Sequence, residues 1–168
     1  MMTTTTTWQE DLADAAIDHG IDVVAYVPDS KLEPIMARFR ERDITIRTLS
    51  REEECIAYAA GAYYGGRQPL VCIQCSGLGN AMNALGSLVV PASLGIPMVM
   101  SMRGTIGETN PVQIPMGLAT PTMLQSIGIP AYELRNPTEA ASSVRHILSM
   151  GQAGITAALL LEVPKVAV

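Results

Sequence analysis

Three consecutive acids, Glu52-Glu53-Glu54, a single Asp29 after Val27-Pro28, and a glycine turn, Ser76-Gly77-Leu78-Gly79-Asn80, are the residues best suited to chemistry. A carboxyl group in a partly dry site holds or moves a proton, because water no longer competes for it. A glycine turn that opens a helix lets a ligand approach the backbone and meet free N–H groups. Further on, Arg103, Asn110 and Gln113 share one polar stretch, and an arginine fork suits a bidentate oxyanion. Each also has a plainer reading. Acids in a first helical turn are favoured by the helix dipole alone. An aspartate after proline is an ordinary turn residue, and Arg103 serves equally as a loop surface charge. His19 and His146 fall on helix faces away from these segments and read as surface residues.

The glycine turn does not fit two common phosphate motifs. Its third glycine position holds Met82, and it follows the third strand of the chain instead of the first, so it departs from the dinucleotide fingerprint. No Gly-Lys-Ser/Thr occurs, which excludes a Walker loop.

The elements that must position these residues alternate. Apolar spacing predicts a helix over 8–19 closed by Gly20, a strand over 23–27, a helix over 32–42 and a strand over 44–49. Ser50 reads as an N-cap with Glu53 completing a capping box, and the helix it opens stops at Gly65-Gly66. A strand over 70–74, a tight loop over 76–79, a helix from 80 to about 94 and a strand over 96–102 follow. A polar loop over 105–115, a helix over 117–127, a strand over 131–134, a helix over 137–150 capped by Asn136 and a strand over 157–161 complete the order. This alternation predicts an α/β fold: three αβα layers around a parallel sheet of about six strands. Residues 1–7 read as a disordered tail and residues 8–168 as a single domain. In such sheets ligands bind outside the carboxyl ends of the strands. Asp29-Ser30, Ser50 to Glu52, Ser76 to Asn80 and Arg103 to Gln113 all fall there.

Composition excludes several classes. Hydrophobic residues make up 48% and charged residues 16% of the 168-residue chain, which is a globular balance. A net charge of -5 without any Lys/Arg cluster argues against nucleic acid. Residues 68–102 carry no charge, yet Asn80, Asn83, Pro91 and Pro97 interrupt them, so they do not read as a membrane span. They read as buried elements beside an oligomeric interface. The odd cysteine count, without a secretory leader, points to reduced thiols and a cytoplasmic setting. Cys72 and Cys75 form a C-x-x-C pair within an apparent strand, where positions three apart face opposite sides, so they read as core residues.

The stretch from Arg51 to Tyr63, REEECIAYAAGAY, resembles the glutamate helix of thiamine-diphosphate enzymes. The stretch from Pro69 to Leu85, PLVCIQCSGLGNAMNAL, resembles the branch that holds sulfopyruvate and phosphonopyruvate decarboxylases, as do Val27-Pro28-Asp29-Ser30 and Arg103-Gly104. The run from Pro111 to Gly117 is most similar to sulfopyruvate decarboxylase α subunits. The resemblance implies a pyrimidine-binding domain in which Glu52 activates thiamine diphosphate through its aminopyrimidine. It implies that Ser76, Gly77, Leu78, Gly79 and Asn80 help hold the cofactor, and that Asp29 acts near the substrate. Ser30, Arg103, Asn110 and Gln113 become candidates for substrate binding. The family's Gly-Asp-Gly motif, whose Mg²⁺ bridges to the diphosphate, is absent from this sequence. A separate diphosphate-binding β subunit carrying Gly-Asp-Gly, and hence a hetero-oligomer, is therefore expected, with no metal ligands on this chain. Two further readings are a split phosphonopyruvate-type decarboxylase and a non-catalytic α/β regulatory module.

Overall fold

Short aliphatic runs too brief for helices pair side by side, and the longer periodic stretches between them cover the result. The computed structural model describes residues 6–162. In chain order these form α1 (Trp8–Asp18), β1 (Val23–Tyr26), α2 (Glu33–Glu41), β2 (Thr45–Thr48), α3 (Glu52–Tyr64) and β3 (Pro69–Gln74). Then follow α4 (Leu78–Ala84), β4 (Met98–Ser101), α5 (Ile114–Ser126), β5 (Ala131–Leu134), α6 (Ala140–Gln152) and β6 (Ala158–Leu161). The six strands make one all-parallel sheet in the order β2-β1-β3-β4-β6-β5. The inner strands β1, β4 and β6 are buried along their whole length, whereas the edge strands β2 and β5 expose polar residues. Polar edges discourage pairing with other sheets.

Helices cover both faces. Leu12, Ile35, Met36, Phe39, Val144 and Ile147 bring α1, α2 and α6 onto one face of the sheet. Cys55, Ile56, Ala59, Leu78, Ala81 and Leu124 bring α3, α4 and α5 onto the other. The chain moves outward from β1 to β2 and then returns past β1 to β3, so the sheet reverses direction between β1 and β3. A crevice opens at such a reversal, outside the strand ends. No helix among the described residues is long and apolar enough to cross a membrane.

Several local expectations shift. The cap of α3 lies one residue later than predicted: Arg51 is the N-cap, and the Glu54 carboxylate accepts from the Ser50 and Arg51 N–H groups at 3.0 and 3.1 Å. Glu53 pairs with Arg51 instead. Residues 75–77 form a 3₁₀ turn that runs directly into α4, not an open loop, so α4 begins at Leu78. That helix then loosens into a π turn over Leu85–Val89, where the predicted long helix breaks. A 3₁₀ turn over Pro111–Gln113 starts α5 three residues earlier than predicted. At the other end, Thr7 caps α1 by a capping box with Glu10, and the Thr6 hydroxyl donates to Asp11. The rest of the threonine run, like residues 163–168, lies outside the described residues. All three cysteines are buried and free, with Cys72 in one core and Cys75 in the other. Burial pushes the Cys55 thiol up to about 12 and raises Cys72 and Cys75 as well. These thiols pack as small apolar groups.

Candidate active site

The three adjacent glutamates do three different things. Glu54 closes the helix cap, Glu53 pairs one oxygen with Arg51 and buries the other without a partner among the described residues, and Glu52 turns toward the strand end after β3. Its half-buried side chain lies over Gly77, the first residue of the turn after β3 that lacks a Cβ. A methyl group at Gly77 would sit 1.9 Å from the Glu52 carboxyl carbon and 2.0 Å from Oε1. Glycine there leaves room for the glutamate in this position; a side chain at 77 would force the Glu52 carboxyl to move aside. The nearest donor to that carboxylate is a long contact, Asn80 Nδ2 at 3.5 Å from Oε2. Ser76, Leu78 and Gly79 complete the same turn: Leu78 is buried in the core and Gly79 is exposed beside Asn80.

Asp29 follows β1, across the reversal point from β3. Its Oδ1 accepts from the Lys31 and Leu32 N–H groups at 2.9 and 3.3 Å, which starts α2. Its Oδ2 accepts from Gln74 Nε2 at 2.6 Å, and Gln74 Oε1 accepts from the Ser76 hydroxyl. The Tyr26 hydroxyl accepts from the Asp29 N–H at 2.8 Å and fixes the turn from beneath. Burial raises the Tyr26 phenol above its ordinary range. Gln74 therefore joins the two segments, Asp29 on one strand end and the Ser76-Gly77 turn on the next. It is the one long polar side chain at the end of a buried strand. A buried polar group must find partners, and that was the available signal for it.

The segment after β4 is organised by a residue the sequence reading missed. Arg103 meets Glu108 with both arms of its fork, Nε at 2.8 Å and NH2 at 2.9 Å. Glu108 also accepts from the Gly104 and Asn110 N–H groups at 3.2 and 2.9 Å, and its side chain is only 8% exposed. The Arg103 guanidinium, followed by those backbone donors, holds the Glu108 carboxyl far below the usual carboxylate range. The Asn110 side chain accepts from the Val112 N–H and caps the turn into α5, where Gln113 stands at the N-cap position. Gly117 of α5 packs directly on this segment, since a Cβ there would lie 1.9 Å from the Arg103 carbonyl oxygen.

An open cleft runs from Asp29, Ser30 and Lys31 along the Arg103–Thr109 stretch to Leu118 of α5. Arg135 and Glu162, at the ends of β5 and β6, form its far wall. Glu52 and Gly77 do not line it. Lys31, which sequence reading passed over, donates from Nζ to the Met102 carbonyl oxygen. Burial, and then the nearby Arg103 charge, lower the Lys31 amine below its ordinary range. The structure thus gathers Glu52, Gly77, Asn80, Ser76 and Asp29 around the reversal point. Ser30 and Arg103 line the adjoining cleft, whereas Asn110 and Gln113 do not; they stand at the turn into α5.

The site is thus a carboxylate over a glycine turn, at the reversal point of a parallel sheet. Benzoylformate decarboxylase from Polynucleobacter necessarius shares this fold at a TM-score of 0.71 and 18% identity, over 97% of this chain and 32% of that one. Residues 6–104 match the family described as thiamine pyrophosphate enzyme, N-terminal TPP binding domain. The α subunit of sulfopyruvate decarboxylase from Methanococcus maripaludis is 38% identical over 132 residues, 78% of this chain and 79% of that subunit. Phosphonopyruvate decarboxylase from Streptomyces hygroscopicus is also 38% identical, but over 95 residues, 56% of this chain and 24% of that enzyme. The chain belongs to the thiamine pyrophosphate enzyme family, among the domains akin to sulfopyruvate decarboxylase α subunits.

Proposed function

We propose that this chain, as a single domain over residues 8–168, is the pyrimidine-binding α subunit of a sulfopyruvate decarboxylase. The reaction cleaves the bond between the carboxylate and the 2-oxo carbon of sulfopyruvate. CO₂ leaves, and one proton is taken up to give sulfoacetaldehyde. The observation that carries the reading is the Glu52 carboxyl lying over Gly77, in a chain that aligns with most of an α subunit's length.

The residues present fit the cofactor. Glu52 has one long contact from Asn80, and the surface it covers would be filled by any Cβ at position 77. An aminopyrimidine that brings a donor to this carboxyl group meets a half-buried partner, and hydrogen bonds to charged groups contribute roughly 1.5–3 kcal/mol. Thiamine diphosphate, when bound, supplies the electron sink that decarboxylation requires. Glu52 holds the pyrimidine and its proton, and the turn of Ser76, Gly77, Leu78, Gly79 and Asn80 borders it. Asp29, oriented by three donors, acts on the substrate beside the cleft. Ser30, Arg103, Asn110 and Gln113 shape the substrate side, Arg103 by folding its segment around Glu108.

The diphosphate and its Mg²⁺ are assigned to a β subunit carrying Gly-Asp-Gly, which makes the active enzyme a hetero-oligomer. Three free, buried thiols support a reducing, cytoplasmic setting. The test combines this chain with a diphosphate-binding subunit, cofactor and Mg²⁺, and measures CO₂ release from sulfopyruvate and phosphonopyruvate. Turnover is expected with both subunits, faster on sulfopyruvate. Faster turnover of phosphonopyruvate turns the reading to that substrate, and robust turnover by this chain alone overturns the shared site.

A further inference from the structure

We infer that Lys31 is the cation that receives the tetrahedral oxyanion on the substrate's third carbon. The inference rests on the proposed decarboxylase reading and deepens it, because it concerns how the same site selects a dianionic substrate.

Three cations line the cleft: Lys31, Arg103 and Arg135. Two of them are already matched. Arg103 has both arms of its fork on Glu108, a carboxylate that also ties down two backbone N–H groups and is almost closed to water. A substrate anion would have to expel this carboxylate to use the fork. Arg135 pairs with Glu133 at 2.7 Å and Glu162 at 3.0 Å. Lys31 has no carboxylate within ion-pair distance among the described residues. Its ammonium makes one hydrogen bond, to the Met102 carbonyl oxygen. An ammonium has three donors, so two N–H groups are left for a ligand.

Its position suits that ligand. The Met102 contact anchors the amine at the end of β4, and the Lys31 backbone N–H holds Asp29. A group that acts on the second carbon of a short 2-oxoacid and a group that binds its third-carbon anion must be neighbours, and Asp29 and Lys31 are two residues apart on one turn. Half-burial of the stem fixes the ammonium and removes part of its water, so an arriving oxyanion meets a poorly screened charge. Arg103 then acts as the clasp that shapes the cleft wall.

The experiment uses the assembled two-subunit enzyme with cofactor and Mg²⁺, and the variants Lys31→Met and Lys31→Arg. Calorimetry measures binding of 3-sulfopropionate, 3-phosphonopropionate and propionate, and kinetics measure KM and kcat for sulfopyruvate. Lys31→Met is expected to weaken both tetrahedral oxyanions by about tenfold or more, the scale of one lost hydrogen bond to a charged group, and to leave propionate unchanged. KM for sulfopyruvate should rise by a similar factor with kcat less affected, and Lys31→Arg should recover most of the loss. Unchanged oxyanion binding in Lys31→Met, or equal weakening of propionate, overturns the inference. A wild-type assembly that releases no CO₂ from sulfopyruvate sinks the substrate reading instead, and the calorimetric comparison still decides the part of Lys31.

Discussion

The two faces of the sheet are built from different surfaces. On the face covered by α1, α2 and α6, helices α1 and α2 carry charge outward and pair it. Arg38 binds Asp14 at 2.7 Å, Arg42 binds Asp14 at 3.1 Å, and Arg40 binds Glu33 at 2.6 Å. On the other face, α3 has no charge after its first turn, and α4 and α5 have none at all. Ala57, Gly61 and Tyr64 form an exposed stripe along α3, and Leu88 and Leu118 are exposed near α4 and on α5. Paired charges suit a surface that stays in water. An uncharged surface of small and apolar residues suits one that another chain covers. Charge on these three helices is confined to the start of α3.

The contrast breaks first at Glu52, where the largest effect is expected. Glu52→Gln keeps the shape and loses the acid, so turnover of the assembled enzyme should fall by about 10²–10⁴-fold. Hydrogen–deuterium exchange at C2 of the bound cofactor should slow in step, with the melting temperature of the isolated chain nearly unchanged. Glu53→Gln, one residue along, should retain most activity. Asp14→Asn on the opposite face should leave turnover untouched and lower stability by at most ~1 kcal/mol, as for a partly exposed pair. If Glu53→Gln slows exchange and Glu52→Gln does not, the assignment within the acidic run is wrong.

A second pair of variants sharpens the difference between the surfaces. Ala57→Arg adds a charge to the exposed stripe of α3, and Ala37→Arg adds the same charge to exposed α2. Each isolated chain should stay within ~0.5 kcal/mol of the parent, as surface substitutions usually do. Only Ala57→Arg should abolish co-elution with the β subunit in size-exclusion chromatography. Equal assembly by both variants would mean that the uncharged face is not the one covered.

The smallest effect concerns the segment between the sheet and α5, whose charged clasp is Arg103–Glu108. Because the folded Glu108 carboxyl titrates far below its ordinary value, its contribution is fully present above the usual carboxylate range. It is lost only as pH falls through the depressed folded value. Amide exchange in residues 104–110 should therefore hold its protection from neutral pH down to about pH 4, near the ordinary value for glutamate. Glu108→Gln should lose that protection at every pH. Protection that fades in the parent between about pH 6 and 5 would contradict the clasp.

Much of this was legible in the chain. Apolar pattern located all six strands: the inner ones as aliphatic runs, because burial on both faces requires them, and the edge strand β2 by alternation, with turns marked by glycine, proline or polar residues. The β5 bounds agree with the prediction, and β1, β2, β3 and β6 each differ by a residue or two. Helix ends were less legible. The capping of α3 by Glu54, the early start of α4 and the π turn after Ala84 depend on hydrogen bonds that several neighbouring residues could have made equally well.

The sequence by itself determined the parallel sheet, the four strand-end segments and the family of the glutamate helix, because these rest on periodicity and on residue types that recur in order. Only the tertiary structure decided that Glu53 and Glu54 are engaged at the helix start, that Gln74 ties Asp29 to the Ser76 turn, and that Arg103 is occupied by Glu108 while Lys31 has no carboxylate partner among the described residues. The physical reason is common to all of these. A side chain's role depends on which donors and acceptors lie within about 3 Å of it, and those partners come from strands that are neighbours in the sheet but far apart in the chain.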